Sequence, residues 1–333
     1  MPSSQIVVIG TSAGGIDALR EIVGHLPPHF AAPVCIVMHT APESPGVLHD
    51  ILARAGRLPA TPPRDAERLK AGRLYAAPPD HHLVIEPGRI RITRGPKENR
   101  FRPAIDPLFR SAAQVYGPGA IGVILTGNLD DGTAGLWTLK QLGGTAIVQD
   151  PAEAEFPSMP ESALRHVAVD HVVRLAEIPQ LLVSLTEVPV PAAADHRVPS
   201  HVEVEVRIAK EENAVDAGIG DIARPSIFAC PECHGVLLQL EEGGRLRFRC
   251  HTGHAYSAES LRTAIDGAIE ESLWNAFRAF EEGMLLLRRM SSHLTTHDAE
   301  LAHQLTGRAE ALRQQSNELR RLIDERVPLG TSA

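Results

Sequence analysis

Short apolar runs rich in β-branched residues predict buried strands in the first part of the chain. Residues 5–9, 34–38 and 120–125 are of this kind. The stretches after the first and third runs, residues 16–23 and 136–142, have the apolar spacing of helices. Strands that alternate with helices in this way predict a doubly wound α/β fold with a mostly parallel sheet.

The composition changes after residue 186, which predicts that the first domain covers residues 1–186. Residues 187–225 are first rich in Pro and Ala and then polar with mixed charge, so we expect a linker there. Within that linker, residues 202–208 alternate between apolar and charged side chains, which predicts a short strand.

Two smaller parts are predicted beyond the linker. Residues 235–240 and 245–249 have the pattern of two strands joined by a glycine turn, within a ribbon over residues 226–256. Residues 257–327 are almost free of Pro and Gly, which predicts two long helices that break near residues 291–296 and pack as a hairpin. Leucines form an apolar stripe on the second helix: Leu301, Leu305, Leu312, Leu319 and Leu322. Such a stripe serves either as core or as a surface for self-association.

Composition excludes some classes of function. The 333 residues carry a net charge of −8, and most of the excess of acidic residues lies beyond residue 186, so no basic surface for nucleic acid is expected. No apolar run approaches eighteen residues, and no basic segment followed by an apolar one precedes the first strand. We therefore expect a cytoplasmic protein without membrane insertion.

The turn after the first strand contains the string Gly10-x-Ser12-x-Gly14. Its glycines relieve crowding around an exposed serine, as in the nucleophile elbow of serine hydrolases. Because the predicted helix follows at once, Ser12 would lie near free backbone N–H groups that can stabilise an oxyanion. A turn that binds phosphate is the alternative interpretation. The dinucleotide fingerprint is excluded, since it requires glycine at the position of Ser12.

A serine nucleophile needs a base and a carboxylate, and the ends of the other two apolar runs offer both. His39 follows the second run directly, and Asp130 and Asp131 lie in a glycine-rich loop after the third. The carboxyl ends of neighbouring parallel strands meet at one edge of a sheet, so these side chains are expected to converge. The pattern alone does not choose between Asp130 and Asp131, and an aspartate that caps the next helix is equally compatible.

These segments resemble the active-site blocks of the CheB-type protein-glutamate methylesterase catalytic domain. The similar blocks are residues 9–15, 37–39, 95–109, 125–132 and 156–163, within a span of about residues 4–186. The resemblance implies hydrolysis of γ-glutamyl methyl esters on methylated chemoreceptors or similar signalling proteins, with release of methanol. It implies Ser12 as nucleophile, His39 as base and Asp131 as the orienting acid, with no cofactor for catalysis.

The resemblance also suggests further site residues. Backbone N–H groups near Ala13 and Asn128 are candidates for the oxyanion hole, although Ala13 and Asn128 stand where family members commonly have other residues. Arg100, Arg102 and Asp106 are candidate contacts for the substrate chain, with a surface ion pair as the alternative. The receiver domain common in the family is expected to be absent, because the first strand begins near residue 5.

A second motif, Cys230-x2-Cys233-x16-Cys250-x3-His254, lies in the predicted ribbon. Two cysteines two residues apart, followed by a second pair of ligands beyond a hairpin, are typical of a structural zinc site. His251 competes with His254 as the fourth ligand, whereas Cys35 is expected in the core. Loss of this metal is expected to unfold the ribbon and to leave the chemistry at Ser12 intact.

Three functions therefore compete. The first is a stand-alone methylesterase that acts through Ser12, His39 and Asp131. The second is a related carboxyl-ester hydrolase or protein-glutamine deamidase with a substrate outside chemotaxis. The third is a catalytically idle protein that binds partners through the ribbon and the helices.

Overall fold

The predicted strands of the first domain form a parallel sheet. The structure, a computed structural model, describes residues 4–190, 197–294 and 298–326. The strands before residue 190 are β1 (Ile6–Thr11), β2 (Val34–Met38), β3 (Leu74–Ala76), β4 (His82–Glu86), β5 (Arg89–Thr93), β6 (Ala120–Ile124), β7 (Thr145–Gln149) and β8 (His171–Val173). Six of them form the sheet in the order β3-β2-β1-β6-β7-β8, while β4 and β5 pair separately as an antiparallel hairpin.

Helices connect the strands and cover both faces of this sheet. They are α1 (Gly15–His25), α2 (Leu48–Ala55), α3 (Ile105–Tyr116), α4 (Thr133–Gln141), α5 (Ser158–His166) and α6 (Ile178–Glu187). All neighbouring strands of the six-stranded sheet pair in parallel. The predicted α/β fold class is confirmed.

Strand β1 lies where the winding of the sheet reverses. The chain runs from β1 outward through β2 to β3, and later from β6 outward through β7 to β8 on the other side. At such a switch point the loops after the two central strands diverge and leave a crevice at their carboxyl ends, which is where α/β sheets bind ligands. The loops after β1, β2 and β6 are those that carry the predicted site residues.

The side chains of β1 alternate between two cores. Ile6 and Val8 pack in the core that includes residues of α3, α4 and α5, whereas Val7 and Ile9 pack in the core that includes residues of α1, α2 and α6. All four are fully buried, and each contributes about 2 kcal/mol of hydrophobic stabilisation. This fixes β1, and with it the turn that follows, from both faces.

The strand predicted at residues 202–208 is wrong, because the segment is helical. Helix α7 (Ser200–Ala209) is followed by the short α8 (Ile219–Ile222). Val202 and Val206 pack against Val84 of β4, while Val204 and Ile208 lie in a second cluster that contains Leu240. Burial on two sides lets a helix accept a sequence that alternates like a strand, since tertiary contacts override propensity. The predicted linker over residues 187–225 therefore contains packed structure, and residues 191–196 lie outside the described ones.

A four-stranded antiparallel sheet forms the ribbon. Its strands are β9 (Arg224–Ala229), β10 (Val236–Glu242), β11 (Arg245–Cys250) and β12 (Ala255–Ser257), in the order β12-β11-β10-β9. Gly243 and Gly244 form the turn between β10 and β11 with φ of 58° and 75°. A Cβ at Gly243 would overlap the indole of Trp137 in α4, so the turn packs closely on the α/β fold. Residues 1–260 accordingly form one compact unit.

Buried charges join the ribbon to the α/β fold within this unit. Glu205 of α7 binds Arg247 at 2.8 Å and Arg249 at 3.1 Å, both from β11, and also pairs with Arg110 of α3. Arg249 and Arg110 in turn bind Glu98. All five side chains are nearly inaccessible to water. Because each buried charge needs its partners, the elements that carry them depend on one another.

The described residues from 261 onward form a second compact unit with two long helices, α9 (Ala258–Leu294) and α10 (Ala299–Glu325). Helix α9 begins just before the unit boundary. Leu305 is buried, but Leu301 and Leu322 are exposed. Residues 295 and 296 of the predicted break, and residue 327, lie outside the described residues. Self-association through these helices stays a prediction. Among the described residues, none of the helices has the length and apolar character needed to cross a membrane.

Candidate active site

Ser12 follows β1 directly and lies at the amino-terminal end of α1. Gly14 precedes the helix in a left-handed conformation, with φ of 73°. The backbone N–H of Ser12 donates to Thr126 O at 3.1 Å, which ties this turn to the loop after β6. The N-terminal end of α1 carries a partial positive charge and orphan N–H groups. Negative charge that develops beside Ser12 is therefore stabilised.

His39 follows β2 and reaches Ser12 from the neighbouring strand. Its Nδ1 lies 3.1 Å from Ser12 Oγ, and its Nε2 lies 2.7 Å from Asp131 Oδ2. The ring of Phe101 stacks on the imidazole, with ring centroids 3.7 Å apart and an angle of 5° between the planes. With Nε2–H donating to Asp131, Nδ1 is free to accept a proton from the serine hydroxyl.

Asp131 reaches His39 from the loop after β6, and its side chain is 1% exposed. Besides His39 Nε2, its carboxylate accepts hydrogen bonds from Asn99 Nδ2 at 2.8 Å, Ile105 N at 2.7 Å and Asp106 N at 3.4 Å. Ile105 and Asp106 are the first residues of α3, so the N-terminus of that helix points its partial positive charge at the carboxylate.

Asp130 and Asp131 differ in pKa because their surroundings differ. Burial raises the pKa of Asp131, but the hydrogen bond and charge of His39, with the donors at Ile105 and Asn99, lower it to about 2. Burial raises the pKa of Asp130 to about 6, and Asp130 Oδ1 accepts a hydrogen bond from Ser257 Oγ at 2.8 Å. Asp131 is the one of these two acids that forms a hydrogen bond with the imidazole of His39.

Asp106, a predicted contact for the substrate chain, is buried, and that contact stays a prediction. Its side chain is 1% exposed and accepts hydrogen bonds from Gly135 N at 2.6 Å and Asn99 Nδ2 at 3.0 Å. Burial and the charge of Asp131 raise the pKa of Asp106 to about 7. Asp106 therefore belongs to the polar interior behind Asp131 and is not among the residues that line the cleft over Ser12 and His39.

A cleft of about 730 Å³ opens over Ser12 and His39. Its charged lining residues are Asp17, Lys97, Arg100, Arg102 and Glu155. Arg102 binds Asp80 at 2.6 Å, so the predicted ion pair exists but with a different aspartate. Arg100 is exposed at the rim of the cleft, and its contact with a substrate chain stays a prediction.

The loop after β6 passes close to Ser12. A Cβ at Gly127 would come within 2.9 Å of Ser12 Cβ, so only glycine allows this approach. Asn128 follows with its side chain exposed, while Ala13 lines the cleft beside Ser12. Ala13 follows Ser12 along the chain, and Asn128 follows Gly127, which approaches Ser12 closely. Their role in an oxyanion hole remains a prediction.

Sequence reasoning gave no role to Asn99 and Phe101, which contact Asp131 and His39 respectively. Both lie in the block of residues 95–109 that resembles the methylesterase family. That block was the available signal, but nothing in the spacing of its residues indicates which side chain meets which member of the site.

The ribbon brings together four potential metal ligands. The donor atoms of Cys230, Cys233, Cys250 and His254 all lie within 4.8 Å of one another. Cys233 Sγ is 3.6 Å from Cys250 Sγ, and His254 Nδ1 is 3.6 Å from Cys250 Sγ and 3.7 Å from Cys230 Sγ. Ligands of a tetrahedral zinc ion with ordinary bond lengths are about 3.5–3.8 Å apart. This Cys3His cluster therefore has the dimensions needed to bind a metal ion.

Residues 7–182 match the CheB methylesterase family, which is more than half of the chain. The chain belongs to the CheB methylesterase family. The solved structure of the Thermotoga maritima CheB methylesterase catalytic domain is 36% identical and superposes with a TM-score of 0.52, over 54% of this chain and 98% of that domain. The family membership predicted from the sequence is confirmed.

Curated relatives of this CheB-family chain have related names. A Leptospira interrogans protein, provisionally named protein-glutamate methylesterase/protein-glutamine glutaminase, is 41% identical over 55% of this chain and 95% of its own length. Proteins of Anaeromyxobacter dehalogenans and Maricaulis maris, both named protein-glutamate methylesterase/protein-glutamine glutaminase, are 41% and 35% identical. These matches cover 55% and 52% of this chain, but only 53% and 44% of the two relatives, about half their length.

The surroundings of Asp131 predict a pH-dependent stability. Because its pKa of about 2 is below the ordinary value of 3.8, its stabilising contribution is present above pH 4 and is lost as the pH falls through 2. Asp131→Asn, whose amide offers one acceptor fewer to these donors, should lower the free energy of unfolding at neutral pH by about 1–3 kcal/mol. The difference from native protein should shrink between pH 4 and 2, as measured by urea denaturation.

The matched control is Asp17→Asn, at a carboxylate that is 85% exposed. It should change the free energy of unfolding by less than about 1 kcal/mol at either pH. A gap between native protein and Asp131→Asn that stays constant from pH 7 to pH 2 would contradict the ionised, donor-supported state of Asp131.

Proposed function

We propose that this chain is a protein-glutamate methylesterase, which hydrolyses γ-methyl esters of glutamate in a chemoreceptor or similar signalling protein. The observation that carries the proposal is the line of contacts from Ser12 Oγ through the His39 ring to Asp131, at the cleft over β1. The substrate class comes from the family and from the names of the relatives.

The contacts support acyl transfer to serine. His39 Nδ1 takes the proton of Ser12 as Oγ attacks the ester carbonyl carbon, and Asp131 stabilises the imidazolium through Nε2–H. The carbonyl oxygen becomes an oxyanion, which we assign to the backbone N–H groups of Ala13 and Asn128. Arg100 at the rim is our candidate for binding the substrate chain.

Breakdown of the intermediate completes the reaction without a cofactor. The imidazolium of His39 returns the proton to the methoxide oxygen, and methanol leaves an acyl-enzyme on Ser12. Water then attacks the acyl carbon while His39 removes its proton, and the carbonyl–Oγ bond breaks as the imidazolium returns that proton to Ser12 Oγ. A glutamate carboxylate and the free hydroxyl of Ser12 result.

Glutamine deamidation is the second candidate function, because the relatives' names include protein-glutamine glutaminase. A γ-carboxamide has nearly the same shape as the methyl ester, and the leaving group becomes ammonia. A hydrolase with a substrate outside chemotaxis uses the same residues. The idle interaction protein is disfavoured, because the serine, the imidazole and the carboxylate lie within hydrogen-bonding distance.

Ser12→Ala tests the function directly. With methylated receptor cytoplasmic domain as substrate, native protein should release methanol, and Ser12→Ala should lower kcat by at least about 10⁴-fold, as expected when a nucleophile is removed. Ser184→Ala, at an exposed serine of α6, is the matched control and should retain native activity.

Ser12-dependent hydrolysis of other esters or of glutamine amides, without methanol release from the receptor, would support the alternative substrates. Absence of turnover on all esters and amides tested would contradict the enzymatic proposal.

We further propose that Cys230, Cys233, Cys250 and His254 hold one structural zinc ion. Four protein ligands close the tetrahedron, so the ion would stabilise the ribbon and take no part in the hydrolysis. Thr252 Oγ1 lies 2.9 Å from Cys233 Sγ and 3.2 Å from Cys250 Sγ, in a position to donate a hydrogen bond to a thiolate.

Elemental analysis tests the metal and the choice of histidine together. Purified protein should contain about one zinc ion per chain, and His254→Ala should lose most of it. His251→Ala is the matched control and should keep the metal, because His251 packs beside Gly235 and lies outside the cluster. Protein without bound zinc at neutral pH, or equal losses in the two variants, would contradict the assignment.

A further inference from the structure

A short segment, residues 97–101, lies between the ribbon and two members of the proposed triad of Ser12, His39 and Asp131. On the ribbon side, Asn99 N donates to Ala255 O at 2.8 Å, and Ala255 N donates to Lys97 O at 3.1 Å. Strand β12 thus continues its pairing onto this segment. On the other side, Asn99 contacts Asp131 and Phe101 stacks on His39. One segment therefore contacts both the carboxylate and the imidazole.

The amide of Asn99 has one orientation that satisfies its neighbours. Its Nδ2 donates to Asp131 at 2.8 Å and to Asp106 at 3.0 Å. Its Oδ1 accepts from Ser257 N at 2.8 Å and from Ser260 Oγ at 3.1 Å. A flipped amide would place its oxygen against two carboxylates and its NH₂ against a backbone donor. The side chain is 3% exposed, so water cannot take over these bonds.

The backbone of the segment needs support from outside. Asn99 and Arg100 have φ of 50° and 76°, in the left-handed region that side-chain-bearing residues adopt at a cost. Such a conformation persists only where neighbouring structure determines it. The pairing with Ala255 supplies that support, and so do the ion pairs of Glu98 with Arg249 and Arg110.

The metal-binding cluster lies next to these contacts along the chain. Cys250 follows Arg249, which binds Glu98, and His254 precedes Ala255, which pairs with Asn99. Binding of the metal to the ribbon would therefore also fix the positions of Arg249 and Ala255, the two residues that contact the segment. The expectation from the sequence, that metal loss spares the chemistry at Ser12, does not follow from this structure.

We propose that the ribbon is a working part of the catalytic site: it fixes Asn99, and Asn99 is a positioning residue that holds the Asp131 carboxylate against His39. The inference rests on the ester hydrolysis proposed above and concerns how the Asp131 carboxylate is held in position beside His39. Asn99 does not touch the substrate. Its effect is on the geometry of the two groups that move the proton.

Asn99→Ala tests the positioning role, with p-nitrophenyl acetate as a small ester probe and methylated receptor as the full substrate. We expect kcat on the probe to fall about ten- to a hundredfold with KM within about twofold, since small displacements of catalytic groups have costs of this size. The pH profile of kcat/KM should also change, because the Asp131 carboxylate loses the Asn99 hydrogen bond that lowers its pKa.

A double-variant cycle tests whether the chain at the end of the ribbon acts through Asn99, at Ser260 in the first turn of α9, just after β12. Ser260→Ala removes one donor to Asn99 and leaves the triad untouched, and we expect kcat to fall about two- to fivefold. In the Asn99→Ala background the same change should have no further effect, because Ser260 acts through Asn99. Ile227→Ala, at a side chain of β9 that is 95% exposed, is the control and should keep native kcat. Ser260→Ala also serves as the test variant should Asn99→Ala fail to fold.

The zinc content and the midpoint of thermal unfolding are measured for each variant first, so that kinetics are compared only among folded proteins. Asn99→Ala with kcat within twofold of native and an unchanged pH profile would overturn the positioning role. Equal losses from Ser260→Ala in both backgrounds would overturn the route through Asn99. Should native protein hydrolyse the probe through Ser12 but not the receptor ester, the proposed substrate fails, and the cycle on the probe still decides this inference.

Discussion

The site depends on keeping one carboxylate ionised inside the protein. Taking the charge of Asp131 out of water costs several kcal/mol, and the fold offsets this with hydrogen bonds from side chains and from the first turn of α3. An ionised Asp131 can hold His39 in the tautomer that leaves Nδ1 open toward Ser12. Gly10 of β1 allows α3 to come this close, since a Cβ there would overlap Ile105.

The ribbon packs on the α/β fold beside this carboxylate. The family match ends at residue 182, whereas Asn99 donates a backbone hydrogen bond to Ala255 and accepts hydrogen bonds from Ser257 and Ser260. Buried ion pairs of Glu98 and Glu205 with arginines of β11 also join the ribbon to the α/β fold. In this chain, the contacts that surround the Asp131 carboxylate and Asn99 therefore include elements outside the region that matches the family.

The sequence predicts what is encoded locally. Apolar runs identify β1, β2 and β6, and the ends of these strands point to Ser12, His39 and the pair Asp130 and Asp131. The choice of Asp131 came from the resemblance to the methylesterase family. Helix α7 was missed because burial on two sides suits a helix that alternates like a strand. Asn99 was missed because its partner Ser257 is 158 residues away along the chain, and no local pattern reports such a contact.

The central claim is that His39 activates Ser12 as a nucleophile, and covalent labelling tests it most directly. Native protein would be treated with a fluorophosphonate, which reacts with activated serines, and the adduct located by peptide mass spectrometry. The account predicts one adduct, on Ser12, and almost no labelling in His39→Ala. Labelling of Ser12 at the same rate in His39→Ala, or an adduct on another serine in native protein, would contradict it.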